Sequence, residues 1–233
     1  MMSRRRRAAW WILPVLAGYA ALAYLFLPEF WIARDHSRDV GPASMVTRTA
    51  DDIPGDPINV GLVGDQQAIF RAMAAAGWDT ADAITLKTSV DIGLSVLFGH
   101  PYPDAPVSPL FYEGRKEDLA FEKPIGESAD QRHHVRFWRT PRTGPDGGTL
   151  WLGSASRDRG VGVSHDTGQI THHIAPDVDA ARDGLIADVK AAGWIASTYE
   201  MEGVGATRDG RNGGGDPYFT DGKVLVGVLG SGG

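Results

Sequence analysis

Hydrophobic positions along this chain form one unbroken run, three stretches of helical spacing and a series of short alternating segments. The unbroken run is Ala8 to Leu27, which holds no charged side chain. At about 1.5 Å per residue it predicts a helix of roughly 30 Å, the hydrocarbon thickness of a bilayer. Helical spacing occurs in Asp65 to Ala76, where Ile69, Phe70 and Met73 share a face, in Asp82 to Phe98, and in Val178 to Ala192. Gly77, Gly99 and Gly193 stop these stretches. The string Ala-Ala-Gly-Trp ends two of them, at Ala75 to Trp78 and Ala191 to Trp194, and reads as shared helix-stop chemistry rather than a repeat.

The alternating segments predict strands. Asn59 to Gly64 is a short buried one, and Leu110 to Tyr112 with Leu119 to Phe121 flank a polar turn as a hairpin would. His133 to Trp138 and Leu150 to Ser156 alternate on either side of a loop rich in Pro and Gly. Ile170 to Ile174, Trp194 to Tyr199 and Lys223 to Leu229 complete the set, with a glycine-rich loop at Gly203 to Asp216. The fold class expected is α+β, a mainly antiparallel sheet with amphipathic helices on one face, preceded by one transmembrane helix. Residues 1–31 are expected to form a membrane anchor with its helix at about 8–27. Residues 32–55 read as a tether and 56–233 as one globular domain.

Charge adds a direction to this picture. Arg4 to Arg7 precede the apolar run, only Arg34 and Arg38 follow it, and Trp10, Trp11, Phe30 and Trp31 mark its ends. The positive-inside bias then puts the N-terminus in the cytoplasm and the domain outside a bacterial inner membrane. The competing reading is a signal peptide cut after Ala23, which leaves Tyr24 to Leu27 as an exposed apolar tail. The formal charge of -6 becomes -10 once Arg4 to Arg7 are set aside. So acidic a domain gains nothing from phosphate backbones, and no nucleic-acid partner is expected. The chain has no cysteine, which excludes disulfides, thiolate zinc sites and a cysteine nucleophile.

Candidate chemistry is concentrated between Arg132 and Asp183, which holds five of the seven histidines. Side chains alternate along a strand, so His133 shares a face with Val135 and Phe137, and His134 shares the other with Arg132 and Arg136. By the same count His173 goes with Thr171, and His172 with Ile174. Each doublet thus offers one histidine to a polar site and one to the core. His134, Arg136, Arg157, Arg159, His165, Asp166 and His173 are the ligand-binding candidates. The three arginines provide planar forks for a phosphate or carboxylate. No His-x-His or His-x-x-x-His pair exists, so neither a metal nor a cofactor is expected, although His134, His165, His173 and Asp166 offer donors that loops can assemble. Asp177 and Asp179 are accounted for as helix-capping residues, and Arg182 as a partner of Asp179. Ser156-Arg157 followed by His165 matches part of a lipid-phosphatase motif, but the spacing is too long and the companion motifs are absent. No nucleophile elbow or dinucleotide loop is present.

The blocks GRKEDLAFEKP (Gly114 to Pro124), RHHVRFW (Arg132 to Trp138), LWLGSASRDRGVGVSH (Leu150 to His165) and TGQITHHIAPDVDAARD (Thr167 to Asp183), with DPINVGLVG (Asp56 to Gly64), resemble the C-terminal domain of the LssY family. In that bacterial family the domain often follows a multi-pass membrane region. The resemblance implies an envelope-associated domain, and any phosphatase activity of larger relatives is not carried over to a chain with one apolar run. The function expected is an extracytoplasmic module that binds an anionic ligand or an envelope protein, accessory to lipid handling or secretion. The alternative is a His/Arg-based hydrolase acting on a phosphate- or carboxylate-bearing envelope substrate.

Overall fold

The computed structural model describes residues 14–30, 45–81, 109–126, 128–203 and 208–230. A first helix, α1, covers residues 14–30 and contains a π-turn at Leu22–Phe26. Then follow β1 (Val46–Arg48), β2 (Pro54–Pro57), β3 (Val60–Val63), α2 (Gln66–Ala75), β4 (Asp79–Thr80), β5 (Phe111–Tyr112), β6 (Arg115–Lys116) and β7 (Leu119–Ile125). The chain continues with β8 (Ser128–Thr143), β9 (Thr149–Val163), β10 (Ile170–Ile174), α3 (Val178–Ala191), β11 (Ile195–Glu202), β12 (Asp209–Arg211), β13 (Pro217–Phe219) and β14 (Lys223–Leu229).

The largest sheet runs β11-β14-β3-β9-β8-β7-β4, with β10 added along β9. Its backbone is the long β8–β9 hairpin, which extends well beyond the two short strands expected from the apolar pattern. Alternation decides what each face meets. Val60, Leu62, Val135, Phe137, Trp151 and Ala155 pack with Ile69 and Met73 of α2 and with Leu185 and Val189 of α3. Val63, Trp138, Leu150, Leu152, Val224 and Val226 lie on the opposite face, where Met45 and Leu110 cover them beside a small sheet ordered β2-β1-β5-β6. Both helices begin on an aspartate cap: Asp65 accepts from Ala68 N at 2.7 Å and Asp177 from Ala180 N at 3.1 Å. Both end in the same way, with Trp78 N bonded to Met73 O and Trp194 N to Val189 O, the six-to-one closure of a glycine stop.

Several expectations are corrected. Among the described residues strand predominates, 47% against 25% helical, and the main sheet is mixed because β14 and β3 pair in parallel. Those strands come from opposite ends of the domain, so no turn fixes their direction and the apolar pattern cannot reveal it. The transmembrane helix is not found: among the described residues no helix is long and apolar enough to cross a membrane. Instead α1 touches the domain, since Ala23 is buried and the Tyr19 hydroxyl donates to Gly168 O. Within the expected tether, residues 45–55 contribute β1, the start of β2 and the buried Met45, Thr47 and Ile53. The hairpin expected between residues 110 and 121 is replaced by a tighter one, β5–β6, turning at Glu113 and Gly114 with φ of 50° and 72°. That frees β7 to join the large sheet. Arg4 to Arg7 and the amphipathic stretch Asp82 to Phe98 lie outside the described residues.

Candidate functional site

The face of the large sheet turned away from the helices changes character along β8 and β9. Beyond Trp138 and Leu152 it presents Arg132, His134 and Arg136 from β8 and Ser154, Ser156 and Asp158 from β9, all buried. Register groups them: His134 lies opposite Ser156, and Arg136 opposite Ser154. From β2, Asp56 reaches over this polar end and accepts a hydrogen bond from Ser156 Oγ at 3.3 Å. β10 closes one side. Its pairing with β9 slips by one residue, so that His173 faces Gly160 while Ile174 faces Asp158, a bulge of the kind that re-aims side chains next to a site.

Two imidazoles converge on one carboxylate oxygen. His134 Nε2 is 2.6 Å from Asp158 Oδ2, and His172 Nδ1 is 2.7 Å from the same atom. The first contact has hydrogen-bond geometry, whereas His172 Nδ1 approaches without it. Arg132 stands 3.9 Å from Asp158 and 3.0 Å from Glu122. A pocket of about 240 Å³ opens beside this group, lined by Asp56, His134, Arg136, Asp158, His172 and Asn212 among others.

Burial and charge set the protonation states. Burial raises the Asp158 carboxyl, but His134 and His172 outweigh it and hold the group far below the usual carboxylate range. Burial dominates at His134 and lowers that ring, which favours the neutral imidazole beside Asp158. Its Nδ1 is buried without a hydrogen-bond partner. Asp56 moves the other way: burial raises it, against Arg136 and with help from the neighbouring charge of Asp158. One pocket therefore contains two carboxyl groups driven in opposite directions.

A second cluster lies at the next residue along β10. His173 Nδ1 is 2.8 Å from Asp216 Oδ1, and His165 Nε2 is 3.5 Å from the same oxygen. The other oxygen of Asp216 accepts from Ile174 N at 2.9 Å. Here the side chains are more open, His165 being 60% exposed.

The candidate residues read from the sequence are thus divided. His134 and Arg136 line the pocket. His165 and His173 belong to the second cluster, and Asp166 stands 3.7 Å from Arg211. Arg157 and Arg159 are exposed, on the opposite side of β9 from Asp158, so they do not join Arg136. Asp179 is also reassigned in part. It stands 3.3 Å from Arg182 as expected, but its oxygens accept from Thr220 Oγ1 and Asp221 N rather than capping α3. Sequence reasoning missed His172, Asp158, Asp56 and Asp216. For Asp158 a signal existed, since it continues the Ser154-Ser156 side of an alternating strand and has no capping role. Alternation puts His172 with Ile174 on the side expected to face the core, and in the structure that side is the pocket wall.

A mixed sheet with helices on one face, a small sheet on the other and a His–Asp–His centre where they meet defines a pocket-bearing domain built around one hairpin. The family model for the LssY C-terminus matches residues 39–224, and the chain belongs to that family. No curated protein and no solved structure matches it.

Proposed function

We propose that this domain binds a small ligand bearing a phosphate or carboxylate in the pocket beside His134, Asp158 and His172. The observation that carries the reading is Arg136, which is 5% exposed yet lines the pocket wall. A guanidinium keeps its charge at any ordinary pH and can grip an oxyanion bidentately in a site shielded from water. Ser156, Thr171 and Asn212 line the same space and add to its polar wall. An envelope component is the ligand source we favour, in the extracytoplasmic setting expected from the sequence. A reporter fused after Gly233 and active only when exported tests that setting. Calorimetric titration of the full chain with inorganic phosphate and with acetate tests the pocket. Saturable binding that falls at least about tenfold in Arg136→Met and is unchanged in Arg157→Ala supports the reading. An Arg136→Met chain that is folded and binds equally well contradicts it.

A second reading, hydrolysis of that ligand, is favoured by the opposed carboxyls. Asp56 is raised and suited to give a proton, and Asp158 is lowered and suited to hold histidine in a basic state. Turnover of a phosphate or carboxylate ester that disappears in Asp56→Asn while binding persists would move the assignment from binding module to enzyme.

A further inference from the structure

We propose that His134, His172 and Asp158 hold a divalent transition-metal ion, zinc or iron(II) by the chemistry of the donors, with its open positions facing the pocket. Two imidazole nitrogens and one carboxylate oxygen are the donor set that both ions accept, and three protein ligands beside a cavity match sites that leave a position for substrate or water.

The geometry supports this in three ways. The donor atoms lie within 4.8 Å of one another, and both nitrogens sit under 3 Å from one oxygen. Bonds of about 2.0–2.1 Å to a shared ion need donor separations of roughly 3 Å, so the two nitrogen–oxygen separations have only a few tenths of an ångström to give. Next, the His172 contact is short but lacks hydrogen-bond geometry. A nitrogen held 2.7 Å from a carboxylate oxygen outside hydrogen-bond geometry is placed as two ligands of one cation are, and a cation between them would turn the contact into coordination. Finally, the elements that fix the donors are rigid strands. His134 and Asp158 sit on the paired β8 and β9, and His172 on β10, where the bulge sets its aim.

The neighbouring cluster of His165, His173 and Asp216 contains the same residue types but is explained without an ion. Both Asp216 oxygens are engaged with proper geometry, one by His173 Nδ1 and one by Ile174 N, and His165 stands farther off at 3.5 Å. An ion at Asp158 also sharpens the ligand reading. It offsets the carboxylate charge of the pocket and adds a second positive partner, beside Arg136, for an oxyanion. That coordination step rests on the proposed function, whereas the metal site does not.

The test uses the full chain without a histidine tag, stripped with a chelator and titrated with Zn²⁺ alone by calorimetry, with metal content read after gel filtration. One zinc per chain is expected at the tight site, with affinity weakened at least about 100-fold in His172→Ala and unchanged in His165→Ala. A measurement on the unmutated chain guards against a variant that fails to fold: with zinc bound, His165 should remain open to diethyl pyrocarbonate. Absence of tight zinc binding overturns the proposal. So does binding lost in His165→Ala, or zinc that shields His165 from the reagent. Phosphate titrated with and without zinc then separates the two claims. Zinc binding with no phosphate response leaves the metal site standing and removes the ligand reading, and phosphate binding to a chain that takes no zinc does the reverse.

Discussion

The two His–His–Asp clusters use the same three kinds of side chain and nearly touch, since His172 and His173 are neighbours on β10, yet their surroundings differ throughout. Asp158 gathers His134, at 2% exposure, and His172 beneath β2, next to a pocket. Asp216 gathers His173 and an open His165 at the edge of a glycine-rich turn. The difference teaches that the pleat selects partners and burial selects roles. Adjacent residues on a strand point apart, so one doublet serves two sites, and the cover of a second layer shifts Asp56 and His134 at the first of them.

The contrast should appear most strongly in stability. His134→Ala removes a buried ring and leaves Asp158 short of its nearest donor, so it should cost about 3 kcal/mol, while His165→Ala should stay within about 0.5 kcal/mol. Urea unfolding of the two variants measures this, and equal costs would show that burial does not separate the clusters.

A second test uses Tyr218, which packs with Ile174 and Val178 and feels the charge of Asp56. Burial, then Asp56, pushes its phenol up from 10.0 to about 12. The folded chain therefore keeps this proton while the unfolded chain releases it. The associated stability is fully present below pH 10.0 and is lost as pH rises through about 12, a fall of about 3 kcal/mol. Urea unfolding of the unmutated chain and of Tyr218→Phe across that range should show the fall only in the former. Matching profiles would mean that the environment of Tyr218 is far more open than its 3% exposure indicates.

Smaller effects sharpen the comparison from the exposed side. A Cβ at Gly162 would meet His173 Nε2 at 2.4 Å, so Gly162→Ala should displace the His173 ring from Asp216. The ring is a movable side chain, and the cost should be about 1 kcal/mol, with phosphate binding unchanged. Loss of phosphate binding in that variant would join the two clusters into one site. Least of all, Arg157→Ala should change stability by less than about 0.5 kcal/mol, since its hydrogen bond to Gln131, at 3.3 Å, lies on an exposed surface.

Much of this arrangement was legible in the chain. Period-two alternation placed His133 beside Val135 and Phe137 and set His134 with Arg132 and Arg136, because the pleat allows nothing else. Aspartates at helix starts and glycines at their ends marked α2 and α3. Three features were not legible for physical reasons. The parallel pairing of β14 with β3 joins segments about 160 residues apart and leaves no local trace. Much of the cover comes from residues 45–55, a stretch whose polar composition reads as a tether, so the burial of His134 could not be anticipated. The bulge at β10 is a matter of hydrogen-bond register, and without it alternation alone sends His172 to the core. The division of four histidines between two carboxylates followed from that slip.

Anomalous diffraction at the zinc edge, from crystals of the full chain grown with Zn²⁺ and inorganic phosphate, tests the account most directly because it sees both clusters at once. The account predicts one strong peak about 2.0–2.2 Å from His134 Nε2, His172 Nδ1 and Asp158 Oδ2, with phosphate density between that peak and Arg136. A zinc peak confined to His165, His173 and Asp216, with nothing beside Asp158, would contradict it.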